Sequence, residues 1–186
     1  MEYAVISDIH GCAGALEKAL EMADSAGCGT LLLLGDLLYH GPRNKLRDGY
    51  DPARTADLLN SRKDQIIAVR GNCDAEVDQM MLDFPVTSPS NIFLCMGRRV
   101  FMTHGHLYRP EDAPLGKGGI FMSGHTHQAC LEKYGDRILF NPGSVSMPKG
   151  GLEPSMGILS EERRSLALVP LNAIRVDFSS CTAISL

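Results

Sequence analysis

The amino-acid sequence predicts an α/β sandwich, two β-sheets packed face to face with helices outside. Three observations carry that expectation. The first half of the chain alternates short apolar strands with amphipathic helix patterns. The second half is a series of short strands joined by turn signals. The length, 186 residues with 44% hydrophobic and 22% charged, suits one domain spanning 1–186 with a sizeable core.

Tyr3 to Ile6 is a short apolar strand ending in Ser-Asp-Ile-His-Gly. Ala13 to Ala26 reads as a helix because Leu16, Ala19, Leu20 and Ala23 recur at helical spacing, and Gly27 and Gly29 stop it. Leu31 to Leu34 is a buried strand closed by Gly35-Asp36. A polar loop follows from His40 to Tyr50. Asp51 is placed to cap a helix with Pro52 in its first turn, running through Leu59. Ile66 to Val69 is a third strand, and Asp74 to Leu82 a short helix. Ile92 to Cys95 and Arg99 to Thr103 form a hairpin around Gly97. Gly119 to Ser123 is a further strand. Ala129 to Tyr134 and Arg137 to Phe140 flank Gly135-Asp136, a two-residue hairpin turn. Met156 to Leu159, Ser165 to Val169 and Ala173 to Phe178 complete the strand-rich tail.

The formal charge is −4, so no global field gathers nucleic acid or anionic membrane, and the absence of Trp weakens a base-stacking surface. No apolar run approaches the roughly 20 residues that span a bilayer, and the chain opens directly on a strand with no leader pattern. The six cysteines, Cys12, Cys28, Cys73, Cys95, Cys130 and Cys181, lack a C-x-x-C pair and read as reduced thiols of a cytoplasmic protein.

The chemistry lies in short motifs rich in His, Asp and Gly. They are Asp8-Ile9-His10-Gly11, Gly35-Asp36, His40-Gly41-Pro42-Arg43-Asn44, Gly71-Asn72-Cys73-Asp74, Thr103-His104-Gly105-His106 and Gly124-His125-Thr126-His127. Most follow a strand, where α/β folds place ligands. Asp8 and His10, His104 and His106, and His125 and His127 are each two apart, so each extended pair points to one side. Any single block is ordinary turn chemistry. Together they supply carboxylate, imidazole and amide donors without a required thiolate, a set suited to Mn, Fe, Zn or Mg in a two-metal site.

Taken in order, Asp-x-His, Gly-Asp, Gly-Asn-x-Asp, His-Gly-His and Gly-His-x-His resemble the calcineurin-like metallophosphoesterases. Gly-Asn-Cys-Asp, Thr-His-Gly-His and Asn141-Pro142-Gly143-Ser144 are similar to the YfcE-type phosphodiesterase subgroup. The resemblance implies a four-layer α-β-β-α fold with two packed mixed sheets and a metal-dependent phosphodiesterase. It implies a first divalent metal held by Asp8, His10 and His127, a second by Asn72, His104 and His125, and Asp36 bridging both. Asp36, Asn72 and His10 would directly support attack by a metal-activated hydroxide. Manganese is the first expectation for the metal, with Fe, Zn, Ni and Mg open. The resemblance also implies a small phosphodiester substrate and a homodimer or homotetramer. A phosphomonoesterase of the same superfamily and a non-catalytic scaffold, like the retromer subunit of this fold, are the alternatives.

Four further residues are substrate-contact candidates: His40, Arg43, His106 and Cys73. Arg43 suits phosphate oxygens through its fork of donors. His106 is not needed as a ligand and is open to substrate contact, support of a ligand, or solvation. Lys149 and the turn ending at Ser144 are weaker candidates. Cys73 stands where many relatives carry the His that protonates the leaving oxygen. A thiol is a poorer acid at neutral pH, so slow turnover on poor leaving groups and a preference for activated aryl diesters are expected.

Overall fold

The computed structural model describes residues 1–173, 176, 178, 179 and 181–186. Its first sheet contains β1 (Glu2–Ile6), β2 (Thr30–Leu33), β3 (Ile66–Ala68), β9 (Ser155–Ser160), β10 (Ser165–Pro170) and β11 (Thr182–Ser185), in the order β11-β10-β9-β1-β2-β3. Its second contains β4 (Ser90–Cys95), β5 (Arg98–Thr103), β6 (Ile120–Met122), β7 (Cys130–Tyr134) and β8 (Arg137–Asn141), in the order β4-β5-β6-β8-β7. Both sheets are mixed. β1, β2 and β3 are parallel and β9 runs against β1, whereas β5, β6 and β8 are parallel and flanked by antiparallel β4 and β7.

Every residue of β1 is buried, which explains the unbroken apolar run from Tyr3 to Ile6. Tyr3 and Val5 face the second sheet, where they meet Val100, Met102, Ile120, Met122 and Phe140. Ala4 and Ile6 face the opposite way, toward α1 (Ala13–Ser25) and α2 (Pro52–Asn60). The predicted cap of α2 is present: the Asp51 carboxylate accepts the Arg54 amide at 2.9 Å. α3 (Glu76–Met81) starts two residues later than the sequence suggests. The Asp74 carboxylate serves other amides, and Asp78 accepts the Ala75 amide at 2.7 Å instead.

The two packed mixed sheets match the expected sandwich, and a loop covers the outer face of the second. Among the described residues, the helices pack on the first sheet only, and residues 104–119 cover the outer face of the second as a loop. Ala113 and Leu115 seal Phe101 and Phe121, with Tyr108 edge-on to Phe101. Pro110, Pro114, Gly116, Gly118 and Gly119 deny this segment a helix. Arginines hold its carbonyls instead: Arg98 donates to Gly118 O at 2.7 Å, Arg99 to Pro114 O at 3.1 Å, and Arg137 to Pro110 and Leu115. The strand expected over Ala173 to Phe178 lies largely outside the described residues. The exposed β11, absent from the sequence reading, pairs antiparallel with β10.

Candidate metal centre

The parallel strands carry their following loops to one end of the sandwich. Asp8 and His10 follow β1, Asp36 follows β2, and Asn72 follows β3. From the second sheet, His104 follows β5, and His125 and His127 follow β6. Five of these seven, Asp8, His10, Asp36, His125 and His127, have φ between 50° and 67°, a left-handed backbone that costs roughly 1–2 kcal/mol each without glycine. Such strain persists where surrounding structure enforces it. The Asp8 amide donates to Gly35 O at 3.1 Å and that of His10 to Asp36 O at 2.9 Å. The hydroxyls of Ser144 and Ser146 both donate to Asp8 O, at 2.7 and 3.1 Å.

Two glycines let the Asp36 and Asn72 loops touch. A Cβ on Gly35 would strike the Gly71 amide, and a Cβ on Gly71 would strike the Asp36 carboxylate. The buried Asp74 carboxylate ties the same loops together, accepting the Asp36 and Leu37 amides at 2.8 Å each and that of Gly71 at 2.7 Å. The Asp36 side chain then accepts the Cys73 amide at 2.8 Å.

The ring orientations set the chemistry. Nδ1 of His10, His104 and His127 meets the carbonyls of Tyr39, Leu34 and Met147 at 2.8, 2.7 and 2.6 Å. A carbonyl only accepts, so each Nδ1 carries a proton and each ring turns its Nε2 inward. There, Nε2 of His10 and His127 face one another at 3.3 Å. Nε2 of His104 faces the Asn72 side-chain oxygen at 3.0 Å and Asp36 Oδ2 at 3.4 Å. Asp8 Oδ1 lies 3.3 Å from His127 Nε2 and 3.7 Å from His10 Nε2, buried and without a hydrogen-bond donor. The Nε2 atoms of His10 and His127 and Asp8 Oδ1 thus converge acceptor on acceptor, an arrangement that repels itself unless a cation stands among them. The residues therefore fit a metal. Asp8, His10 and His127 form one compact donor group, and Asp8, Asp36 and His104 another.

The titration directions divide the three rings. Burial pushes Asp8 up to about 7. Burial also lowers His10, and lowers His127 to about 4, so both rings stay neutral and free to ligate. Burial opposes a charged His104, but the hydrogen bond to Asp36 and the charges of Asp8 and Asp36 hold it up at about 9. Asp36 is the reciprocal case. Burial raises it, yet the His104 ring, the Cys73 amide and His10 hold it well below the usual carboxylate range.

The centre opens into a cleft of about 770 Å³ lined by His10, Asp36, Asn72, His125 and His127, with Tyr39, Pro42, Arg43, Cys73 and Lys149 among its walls. Arg43 and Cys73 thus face the cleft as substrate-contact candidates. Burial, then the charge of Asp36, pushes the Cys73 thiol up to about 12, so it remains protonated and a poor proton donor. His40 does not line the cleft: its ring stands edge-on to Tyr39 and Tyr50, at 4.6 and 5.3 Å between centroids. His106 also lies off the cleft walls, beside the rings of His104 and His125 at 5.4 and 6.1 Å. The sequence reading gave no role to Asp74 or Ser146. The Gly-Asn-x-Asp block contained the first, while nothing in the sequence marked the second.

The calcineurin-like phosphoesterase superfamily domain matches residues 1–164. The chain is 47% identical to phosphodiesterase YfcE of Escherichia coli K12 over 173 residues, covering 92% of this chain and 93% of that one. The solved structure of the E. coli phosphoesterase Yfce matches with a TM-score of 0.91 and 44% identity, covering 100% of this chain and 99% of its own. Vps29 of Chaetomium thermophilum shares the fold, with a TM-score of 0.64 at 17% identity, covering 99% of this chain and 95% of that one. On the motifs, the fold and this similarity, the chain belongs to the calcineurin-like phosphoesterase superfamily.

Proposed function

We propose that this protein is a metal-dependent phosphodiesterase acting on a small diester, and that residues 1–186 work as one domain because both sheets contribute to its centre. The observation carrying the reading is the convergence of the His10 and His127 Nε2 lone pairs on Asp8 Oδ1, a buried carboxylate oxygen with no hydrogen-bond donor among the described residues. Asp8, His10 and His127 would hold one ion, Asn72, His104 and His125 the other, and Asp36 would be shared. When bound, two divalent ions supply Lewis-acid polarisation of the phosphoryl oxygens and a water acidic enough to attack phosphorus at neutral pH.

The chain's own residues supply the frame. Carbonyls of Tyr39, Leu34 and Met147 fix the imidazole tautomers, and Asp74 fixes the backbone beneath Asp36. Asn72 contributes a neutral carbonyl oxygen that adds no repulsion against an anionic substrate. Arg43 and Lys149 stand on the cleft wall. His106, beside two ligand rings, is better placed to support them than to touch substrate. His40, turned toward Tyr39 and Tyr50, serves the shape of its loop.

Manganese is the proposed metal, a homodimer or homotetramer the proposed assembly, and the cytoplasm the proposed compartment. No helix among the described residues is long and apolar enough to cross a membrane. The donor set lacks none of the seven positions, which favours an enzyme over a scaffold of this fold. The test is hydrolysis of bis-p-nitrophenyl phosphate after chelation and reloading with each divalent metal, against p-nitrophenyl phosphate. Manganese-restored diester cleavage well above monoester cleavage is expected. Inert protein at full metal loading, or near wild-type turnover by fully loaded Asp36→Asn, would overturn the reading.

A further inference from the structure

Beyond the metal centre, the cleft carries positive charge that nothing in the protein balances. Arg43 comes from the loop after β2 and Lys149 from the segment between β8 and β9, and both line the same cavity as His125 and Asp36. Neither has an ion-pair partner among the described residues, whereas Arg54, Arg62, Lys63, Arg70 and Arg163 each face a carboxylate. Asp36 is the one acidic residue among the cleft walls, and it is already engaged by His104, His10 and the Cys73 amide.

The cavity is also larger than the reaction needs. At about 770 Å³ it has the size of sites that enclose a whole drug-like ligand, roughly 300–1,000 Å³. A scissile phosphodiester carries one negative charge, and the metal centre suffices to meet it. That leaves a guanidinium fork and an ammonium beside the reacting group with no anion assigned to them.

We infer that Arg43 and Lys149 form a second anion subsite, so that the preferred substrate is a phosphodiester whose alcohol portion bears a further carboxylate or phosphoryl group. The inference rests on the diesterase reading and narrows its substrate class. The Arg43 fork suits two oxygens of such a group, and Lys149 supplies a point charge. Tyr39 and Pro42 provide apolar wall for the carbon chain between the two anions.

The test uses four diesters sharing the p-nitrophenyl leaving group and differing in the other alcohol: ethyl, 2-carboxyethyl, 2-phosphonooxyethyl and choline. With the leaving group held constant, differences report recognition of the far end. For manganese-loaded protein, kcat/KM should be at least tenfold higher for an anionic diester than for the ethyl diester, carried mainly by KM, with the choline diester lowest. The carboxyethyl and phosphonooxyethyl arms tell which anion is preferred. In Arg43→Gln and in Lys149→Gln the anionic-to-ethyl ratio should fall toward threefold, whatever happens to the common rate. Calorimetry supplies a readout apart from turnover: 3-phosphonopropionate should bind the loaded protein at least tenfold tighter than ethylphosphonate, and the two variants should lose that gap. Cleavage of the ethyl diester with no preference for anionic substrates would overturn the inference and leave the diesterase reading standing. A preference that survives both substitutions would overturn the assignment to these side chains. Failure to cleave any of the four would overturn both the reading and the subsite.

Discussion

Replacing Asp74 tests whether the metal centre is held by backbone tethers rather than by its ligands alone. Oδ2 accepts the Asp36 and Gly71 amides, and Oδ1 the Leu37 amide. In Asp74→Asn, the amide oxygen keeps one side of this pattern and the NH2 group faces an N–H on the other. One charge-assisted hydrogen bond is lost and a buried backbone donor is orphaned, each worth roughly 1–3 kcal/mol. Burial raises the pKa of Asp74 more than its three amides lower it, so removing the charge returns part of the cost. About 2 kcal/mol is the expected net loss, and roughly 2–4 °C of Tm per kcal/mol for a chain of this size gives a fall of about 4–8 °C. Asp74→Ala orphans all three amides and should fall further. Both variants release the Asp36 backbone, so metal affinity should drop by roughly 10–100-fold, as for other residues that orient ligands. The assays are thermal unfolding in chelator and competitive metal titration. If Asp74→Ala unfolds within 2 °C of the wild type and keeps its metal affinity, the tether argument is wrong.

The metal-free protein should lose stability as pH rises from 7 to 9. Asp8, pushed up to about 7 from an unfolded value near 3.9, contributes stability that is lost as pH climbs between those values. His127, lowered to about 4, acts in the opposite sense, with stability present above about 6.5 and lost as pH falls toward 4. Above pH 7 only His104 of these three still titrates, and its contribution, full below about 6.5, disappears by about 9. The loss is on the order of 3 kcal/mol, read as a falling Tm in chelator, and saturating divalent metal should flatten it. A flat metal-free profile would contradict the assignment. Separately, Cys73→His should raise kcat on alkyl-leaving-group diesters by about 10²-fold, in the lower range for a positioned general acid, with little change for p-nitrophenyl esters. Equal effects on both leaving groups would refute the view that a thiol held near 12 leaves the departing oxygen without a proton donor.

How much of this was legible in the sequence follows from what each feature depends on. The inner strands β1, β2, β5 and β6 were readable because burial on both faces or one demands unbroken or alternating apolar residues. Strand β11, Thr-Ala-Ile-Ser, was not, since it is exposed and held by backbone pairing that any side chain permits. The sandwich with helices outside was legible in the alternating front and the strand-rich tail, while Pro110, Pro114 and the glycines at 116, 118 and 119 leave the outer face of the second sheet to a loop. The seven candidate ligands were legible because metal chemistry restricts residue type. Their support was less so. Leu34, Tyr39 and Met147 act through carbonyls, and a carbonyl leaves no trace in the choice of side chain.

The same distinction separates the histidines. His10, His104 and His127 each find a carbonyl for Nδ1 and are thereby aimed inward, whereas His106 Nδ1 is buried without a partner and its ring lies off the cleft wall. The two residues of His104-Gly105-His106 are equivalent in sequence and share a spacing that suggests one common side. Gly105 at φ 102° breaks the extended geometry on which that inference depends. A two-residue spacing therefore identifies a pair of ligands only where the backbone between them stays extended. In Asp8-Ile9-His10 it does not stay extended either, since Asp8 and His10 are both left-handed. There the convergence is restored by Ser144 and Ser146 gripping the Asp8 carbonyl and by the amides that bond to Gly35 and Asp36. The candidate ligand types are legible from chemistry alone, whereas the direction of Asp8 depends on Ser144 and Ser146, more than a hundred residues away in the chain, and so needed the fold.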